Sequence, residues 1–275
     1  MKRGYAAVWL GLFAGILLAC AACAGAPRGA AAGEQAGLDK VIAESNEAIR
    51  RDRTDGEAYF NRGNAYYQGG DLARAIADYT RVIWLDPTAA GAYYNRGIAY
   101  RDTGDYKRAL ADYTEAIRLD PADAGVYFNR GNVYYEQGDY ERALADYTEA
   151  VRLDPEDAGA YVNRGNVYDD LGDYERAIAD YTEAIRLDPA YTAAYYNRGL
   201  VYYGTGGYDR AVADLSEAIR LDPEDAGAYF NRGNAYYDKG DHDRALADYT
   251  EAVRLDPDAA AAKERLAFAR EQRGY

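Results

Sequence analysis

Apolar residues recur along this chain at helical spacing, in blocks that restart on a fixed beat. In the stretch "AYFNRGNAYYQGGDLARAIADYTRVIWLDP" (58–87), Tyr59, Gly63, Tyr66 and Tyr67 fall at i, i+4, i+7 and i+8. Ala75, Tyr79, Val82 and Ile83 repeat that spacing, with Leu85 after them. Each set makes one stripe of an amphipathic helix. The pattern predicts a first helix running roughly from Tyr59 to Gln68 and stopped by Gly70, a residue free to take positive φ. A second helix opens after the N-cap candidate Asp71 and ends before Pro87, because proline cannot continue a helix.

The decapeptide "AYFNRGNAYY" at 58–67 returns at 228–237, a distance of 170, which is five times 34. At that interval "NRG" begins at Asn61, Asn95, Asn129, Asn163, Asn197 and Asn231, and "LDP" closes with Pro87, Pro121, Pro155, Pro189, Pro223 and Pro257. The glycine stop recurs at Gly104, Gly138, Gly172, Gly206 and Gly240, and the cap at Asp105, Asp139, Asp173 and Asp241. Gly207 breaks the cap series, so the second helix of the fifth unit should be the least well capped. A fixed period of this length marks a solenoid or a similar array.

These units resemble the tetratricopeptide repeat, a 34-residue helix–turn–helix with aromatic, glycine, tyrosine, alanine, aromatic and proline at set offsets. The first unit supplies Tyr59, Gly63, Tyr66, Ala75, Tyr79 and Pro87; the third supplies Tyr127, Gly131, Tyr134, Ala143, Tyr147 and Pro155. One departure is constant: the residue before the glycine, usually leucine in the family, is arginine in all six units. The resemblance covers 56–259, divided as 56–89, 90–123, 124–157, 158–191, 192–225 and 226–259. It implies an all-α, right-handed α-solenoid of helix–turn–helix repeats.

Flanking segments read as caps. Residues 38–55 align with a second helix stripped of its aromatics and proline, and 260–275 form a polar capping helix in which Leu266 and Ala267 face inward. Lys263, Arg265 and Arg270 replace the tyrosine, asparagine and second tyrosine there.

Composition narrows the function. The 30 tyrosines against five phenylalanines suit a thin packed seam in which rings are buried and hydroxyls stay near water. A formal charge of −14 argues against nucleic acid as a partner, since its binders need a basic face.

At the N-terminus, Lys2 and Arg3 precede an apolar stretch (6–19) too short for a spanning helix, as in a signal peptide over 1–19. "LLAC" resembles the lipobox of bacterial lipoproteins, which implies acylation (palmitate among the chains) at Cys20 and a flexible Ala/Gly tether over 20–37. Cleavage after "AGA" at 24–26 is the alternative, made worse by Pro27. Loss of the leader takes the charge to −16, so acyl chains rather than electrostatics would hold the protein on a membrane. Ala21 points to the outer membrane, by family analogy, and Cys23 has no intrachain partner.

Catalysis has little to work with. There is one histidine, His242, at a position taken by tyrosine or leucine in the other units, and neither Ser45 nor Ser216 has a histidine in its repeat. Acidic turns such as Asp154, Glu156 and Asp157 lack calcium-loop spacing. The reading is a non-enzyme without cofactor or metal.

Binding remains, and here the resemblance implies an extended peptide along the first helices. Asn61, Asn95, Asn129, Asn163, Asn197 and Asn231 would form a ladder gripping peptide backbone, since each amide holds a donor and an acceptor. The other reading has them bonding neighbouring helices. Phe60, Tyr67, Tyr94, Phe128, Tyr135, Tyr196, Tyr203, Phe230 and Tyr237 would line the groove, with Arg101 as its main basic residue. Asp102, Glu136, Asp169, Asp170 and Asp238 on the same turns favour a guest that is not strongly acidic.

The recurring arginines Arg62, Arg96, Arg130, Arg164, Arg198 and Arg232 keep step with Asp78, Asp112, Asp146, Asp180, Asp214 and Asp248, and a structural ion-pair ladder is expected. The resulting picture is a protein-binding scaffold held by lipid in a bacterial envelope, facing the periplasm. A small-ligand binder serving a membrane transporter and a self-associating structural protein, hence a homo-oligomer, are the alternatives.

Overall fold

The computed structural model describes residues 32–271, with side chains from residue 35 onward. The expectations for the leader, Cys20, Cys23 and most of the tether lie outside the described residues.

Fourteen α-helices follow one another, with no strand among the described residues. The first is α1 (Ala32–Arg51). The first helices of the six repeats are α2 (Gly56–Gln68), α4 (Ala90–Asp102), α6 (Ala124–Glu136), α8 (Ala158–Asp170), α10 (Thr192–Gly204) and α12 (Ala226–Lys239). Their second helices are α3 (Leu72–Leu85), α5 (Tyr106–Leu119), α7 (Tyr140–Leu153), α9 (Tyr174–Leu187), α11 (Tyr208–Leu221) and α13 (His242–Leu255), and α14 (Ala260–Glu271) closes the series. The described residues fall into two compact units, 32–133 and 134–271.

Helix α1 starts at Ala32, so residues 32–37 are helical where a flexible tether was expected. Alanine, glutamate and glutamine are good helix formers, and the Gln35 amide donates to Asp39 one turn on (3.0 Å).

Each repeat is punctuated as the sequence implies. The six stop glycines have φ between 72° and 92°. After the first stop, Gly70 N–H donates to Tyr67 and Asp71 N–H to Tyr66, using carbonyls the helix end leaves free. Asp71 then accepts from Arg74 N–H (2.9 Å), and Asp105, Asp139, Asp173 and Asp241 cap their helices likewise. Gly207 gives α11 no side-chain cap.

Close approach of the two helices of a repeat explains its invariant glycine. A Cβ on Gly63 would stand 2.9 Å from the Tyr79 ring, and on Gly97, Gly165 and Gly233 it would stand 2.8 Å from Tyr113, Tyr181 and Tyr249. Buried alanines such as Ala58, Ala65 and Ala75 keep the helix axes near one another.

The arginine before each glycine is a strut. Arg62 donates from Nε and Nη2 to both oxygens of Asp78 (2.7 and 2.6 Å), and from Nη1 to Asn46 on the preceding second helix (2.5 Å). Arg96 links Asp112 to Thr80, Arg198 links Asp214 to Thr182, and Arg232 links Asp248 to Ser216. Arg164 clasps Asp180, and Arg130 reaches back to Thr114 (3.2 Å). Five of these arginines clasp the aspartate of their own repeat, and five reach the second helix before it. Asp78, Asp112, Asp180, Asp214 and Asp248 are buried, so each of these carboxylates depends on its fork.

At the far border of the described array, α14 buries Ala262, Leu266 and Ala269. Ala267, expected to face inward, is exposed. It stands 204 residues after Gly63, whose face packs on the second helix of its own repeat, and no helix covers that face of α14 among the described residues.

Candidate binding face

Within the first unit, the first helices meet through a chain of side-chain bonds centred on Asn64. Its Oδ1 accepts from the Tyr79 hydroxyl (2.8 Å) and from Asn95 Nδ2 of the next first helix (2.9 Å). Farther along, the Tyr67 hydroxyl donates to Asp102 (2.6 Å), and the other oxygen of Asp102 accepts from Arg101 Nε and Nη2. Arg101 Nη1 then donates to Asn129 Oδ1 (2.7 Å), and Asn129 Nδ2 donates to the Tyr94 hydroxyl and to the Gly125 carbonyl (both 2.9 Å).

Burial, with the Asp102 carboxylate beside it, raises the Tyr67 hydroxyl well above its ordinary pKa, so it stays a donor. A hollow of about 260 Å³ opens among Asn64, Tyr67, Gln68, Tyr79, Asn95 and Ile98. A wider groove of about 600 Å³ lies between α1 and α2.

The second unit repeats the scheme with other side chains. Asn166 Oδ1 accepts from Tyr181 (2.8 Å) and Asn197 (2.9 Å), and Asn234 accepts from Tyr249 (2.9 Å). Tyr135 donates to Asp170 (2.7 Å), Tyr203 donates to Asp238 (2.6 Å), and Asn231 bonds the Tyr196 hydroxyl and the Gly227 carbonyl. Burial pushes the Tyr196 hydroxyl up to about 12. Asp169 stands two periods after Arg101 and makes no ion pair among the described residues. Burial and the neighbouring Asp170 raise it to about 6.

The asparagine series is thus largely committed to the fold. Asn95 and Asn197 each spend a donor on the preceding first helix, while Asn129 and Asn231 spend theirs on a tyrosine hydroxyl and their own backbone. Asn231 is buried, Asn163 is half-buried on α8, and Asn61 is exposed in the α1–α2 groove with no side-chain hydrogen bond among the described residues.

The aromatics divide as well. Phe60, Tyr94 and Phe230 lean on Tyr79, Tyr113 and Tyr249, while Tyr135 and Tyr203 pack on Tyr140 and Tyr208. Tyr237 sits between His242 and Phe268, and Phe128 is half-buried. Arg101, expected to be the basic residue of the groove, is instead held by Asp102 and Asn129 with its side chain 11% exposed.

Asn64, Asn166 and Asn234 were not picked out as bonding centres. Their signal was available: tyrosine stands 15 residues after each of them, whereas Leu200 is followed at that distance by Leu215. Among the described residues no group of His, Cys, Asp or Glu is arranged to hold a metal, and Asp157 instead caps α8 through Gly159 N–H (2.8 Å).

The sequence profile described as "Tetratricopeptide repeat" matches 94–158, 128–192, 162–226, 196–260 and 230–274, and one described as "TPR repeat" matches 63–102. The chain belongs to the tetratricopeptide-repeat family. Among solved structures, the repeat protein is similar to YrrB, "a TPR protein with an unusual peptide-binding site", at 27% identity and a TM-score of 0.60, over 68% of this chain and 96% of that one.

It is also similar to MamA (29% identity, TM-score 0.58, covering 62% of this chain and 93% of that one). PilF of Pseudomonas aeruginosa shares the fold, at 23% identity and a TM-score of 0.68 over 79% of this chain and 99% of the other. Comparison with curated proteins finds no match. No helix among the described residues is long and apolar enough to cross a membrane.

Proposed function

We propose that this repeat protein is an interaction scaffold whose first-helix face takes an extended, non-acidic segment of a partner protein, with lipid on Cys20 holding it in a bacterial envelope. The observation that carries the reading is the hollow at Asn64, Tyr67, Gln68 and Asn95, where polar side chains and tyrosine rings converge on the face that the repeat family uses for binding. Asn95 is spent on Asn64 and the Tyr79 hydroxyl, and the exposed amide of Gln68 is the donor that can meet a peptide carbonyl there. The likeness to YrrB, which has a peptide-binding site, supports the same role. Charge supports a neutral or basic guest, because Arg101 is already neutralised by Asp102 while Asp169 makes no ion pair among the described residues.

The test is capture of partners from detergent-solubilised envelope by the parent and by a Tyr67→Ala/Gln68→Ala variant shown by circular dichroism to be folded. Partners held by the parent and lost by the variant are expected; equal capture removes the hollow from the binding role. Incorporation of a clickable palmitate analogue that disappears in Cys20→Ser tests the anchor.

A further inference from the structure

Two helix faces are left uncovered at the borders of the described array, and they complement each other. In α1, Leu38, Val41, Glu44, Ser45 and Ala48 stand 34 residues before Leu72, Ala75, Asp78, Tyr79 and Val82 of α3. In α3, Ala75, Asp78, Tyr79 and Val82 are buried. In α1, Val41 and Glu44 are exposed, and these five residues form with α2 the open groove of about 600 Å³. That groove lies where the first helix of a preceding repeat would sit. In α14, Lys263, Ala267 and Arg270 stand 204 residues, six periods, after Tyr59, Gly63 and Tyr66. All three are exposed, on the side that a first helix turns to the second helix of its repeat.

We propose that α14 of one copy docks into the α1–α2 groove of a second copy, so that one repeat is completed by two chains. Size matching favours this occupant. Within a repeat the Tyr79 ring leaves room only for Gly63, since an added Cβ would lie 2.9 Å from it. In α1 the ring is replaced by Ser45, and in α14 the glycine is replaced by Ala267, so the methyl group enters the space the ring has given up.

Charge points the same way. Glu44 occupies the place of the buried aspartate that elsewhere holds an arginine fork, and Asp55 and Glu57 add to the acidic lining. Lys263 and Arg270 are the cations α14 presents to it. Phe268, 42% exposed, stands in the register of Asn64, and so would come against the exposed Asn61 of the second copy. The opposed contact is Glu264 near Glu57, both solvent-facing.

Such an interface is heterologous: each pair keeps one open groove and one open α14, and growth continues unless the ring closes. This goes beyond the binding of a foreign peptide in the neighbouring hollow.

The test uses the full chain with Cys20→Ser and Cys23→Ser, as two singly substituted preparations that are mixed and oxidised. In the repeats, a Cβ at the glycine position lies 3.3–3.4 Å from the Cβ of the aspartate that follows it by 15 residues, near disulfide distance. Glu44→Cys mixed with Ala267→Cys should therefore give a cross-linked heterodimer, while Ala43→Cys, on the opposite face of α1, mixed with Ala267→Cys should not. Equal linking by both pairs, or linking by neither, overturns the proposal.

A charge exchange gives a second readout. Glu44→Lys alone and Lys263→Glu/Arg270→Glu alone should each sediment as monomers, and their mixture should regain the association of the parent. Association that persists in either variant alone would sink the idea.

Discussion

The second repeat, α4 with α5, and the fifth, α10 with α11, have both lost the asparagine that elsewhere meets the buried tyrosine. Ile98 stands in its place in one and Leu200 in the other. The fifth repeat changed the partner too, and Leu215 is fully buried where a tyrosine would be. The second kept Tyr113, whose buried hydroxyl has no hydrogen-bond partner among the described residues, although Arg101 is near enough to act on it electrostatically. Identical loss at one position thus left an apolar contact in one repeat and an orphaned polar atom in the other. An unpaired buried hydroxyl costs more than a bond saves, so the second repeat carries a local debit that the fifth does not.

The largest effect should be common to both repeats. Asp112→Ala and Asp214→Ala each strand a half-buried arginine (15% side-chain exposure) and should lower stability by about 3 kcal/mol, read by denaturant melts. A loss below about 1 kcal/mol would mean the strut is dispensable. Next comes the helix contact. Gly97→Ala puts a Cβ 2.8 Å from the rigid Tyr113 ring and should cost about 2 kcal/mol, whereas Gly199→Ala meets the more adaptable Leu215 and should cost about 1 kcal/mol.

The sharpest contrast is in sign. Tyr113→Phe removes the orphaned hydroxyl and should stabilise by about 1 kcal/mol, while Tyr181→Phe breaks the bond to Asn166 and should destabilise by a similar amount. The same sign at both sites would show that Tyr113 finds a partner in solution. Smallest is the cap: Gly207→Asp should add a few tenths of a kcal/mol and slow amide exchange in the first turn of α11, bringing it level with α5.

Punctuation was legible because it is local. Gly70 and Asp71 act within their own turn, so their roles follow from residue type and position alone. The arginine struts were legible for another reason: the constant separation of 16 between Arg62 and Asp78, kept through every repeat, leaves little else for a charge to do inside a seam. The asparagine ladder was legible as a position on the first helices, with two possible uses for its amides. Position puts Asn95 and Asn129 on the first-helix face, but whether an amide points to solvent or to a neighbour depends on atoms 31 to 35 residues away. Register therefore leaves both uses open, a ladder facing a guest and bonds between neighbouring helices, and side-chain placement decides between them.

Ala267 shows the same limit, since its register is that of a buried glycine and its exposure is a matter of what packs beside it.

By itself, the sequence determined the 34-residue period, the helix pair in each unit, its caps and stops, and the all-α solenoid class, because each rests on short-range backbone preference repeated in phase. Only the tertiary structure decided which polar groups are spent inside the fold: Asn64 as acceptor for two neighbours, Arg101 neutralised by Asp102 and bonded to Asn129, and Tyr113 left without a partner among the described residues. Most of those outcomes turn on distances of a few tenths of an ångström between residues on different helices, where hydrogen bonds are made or lost.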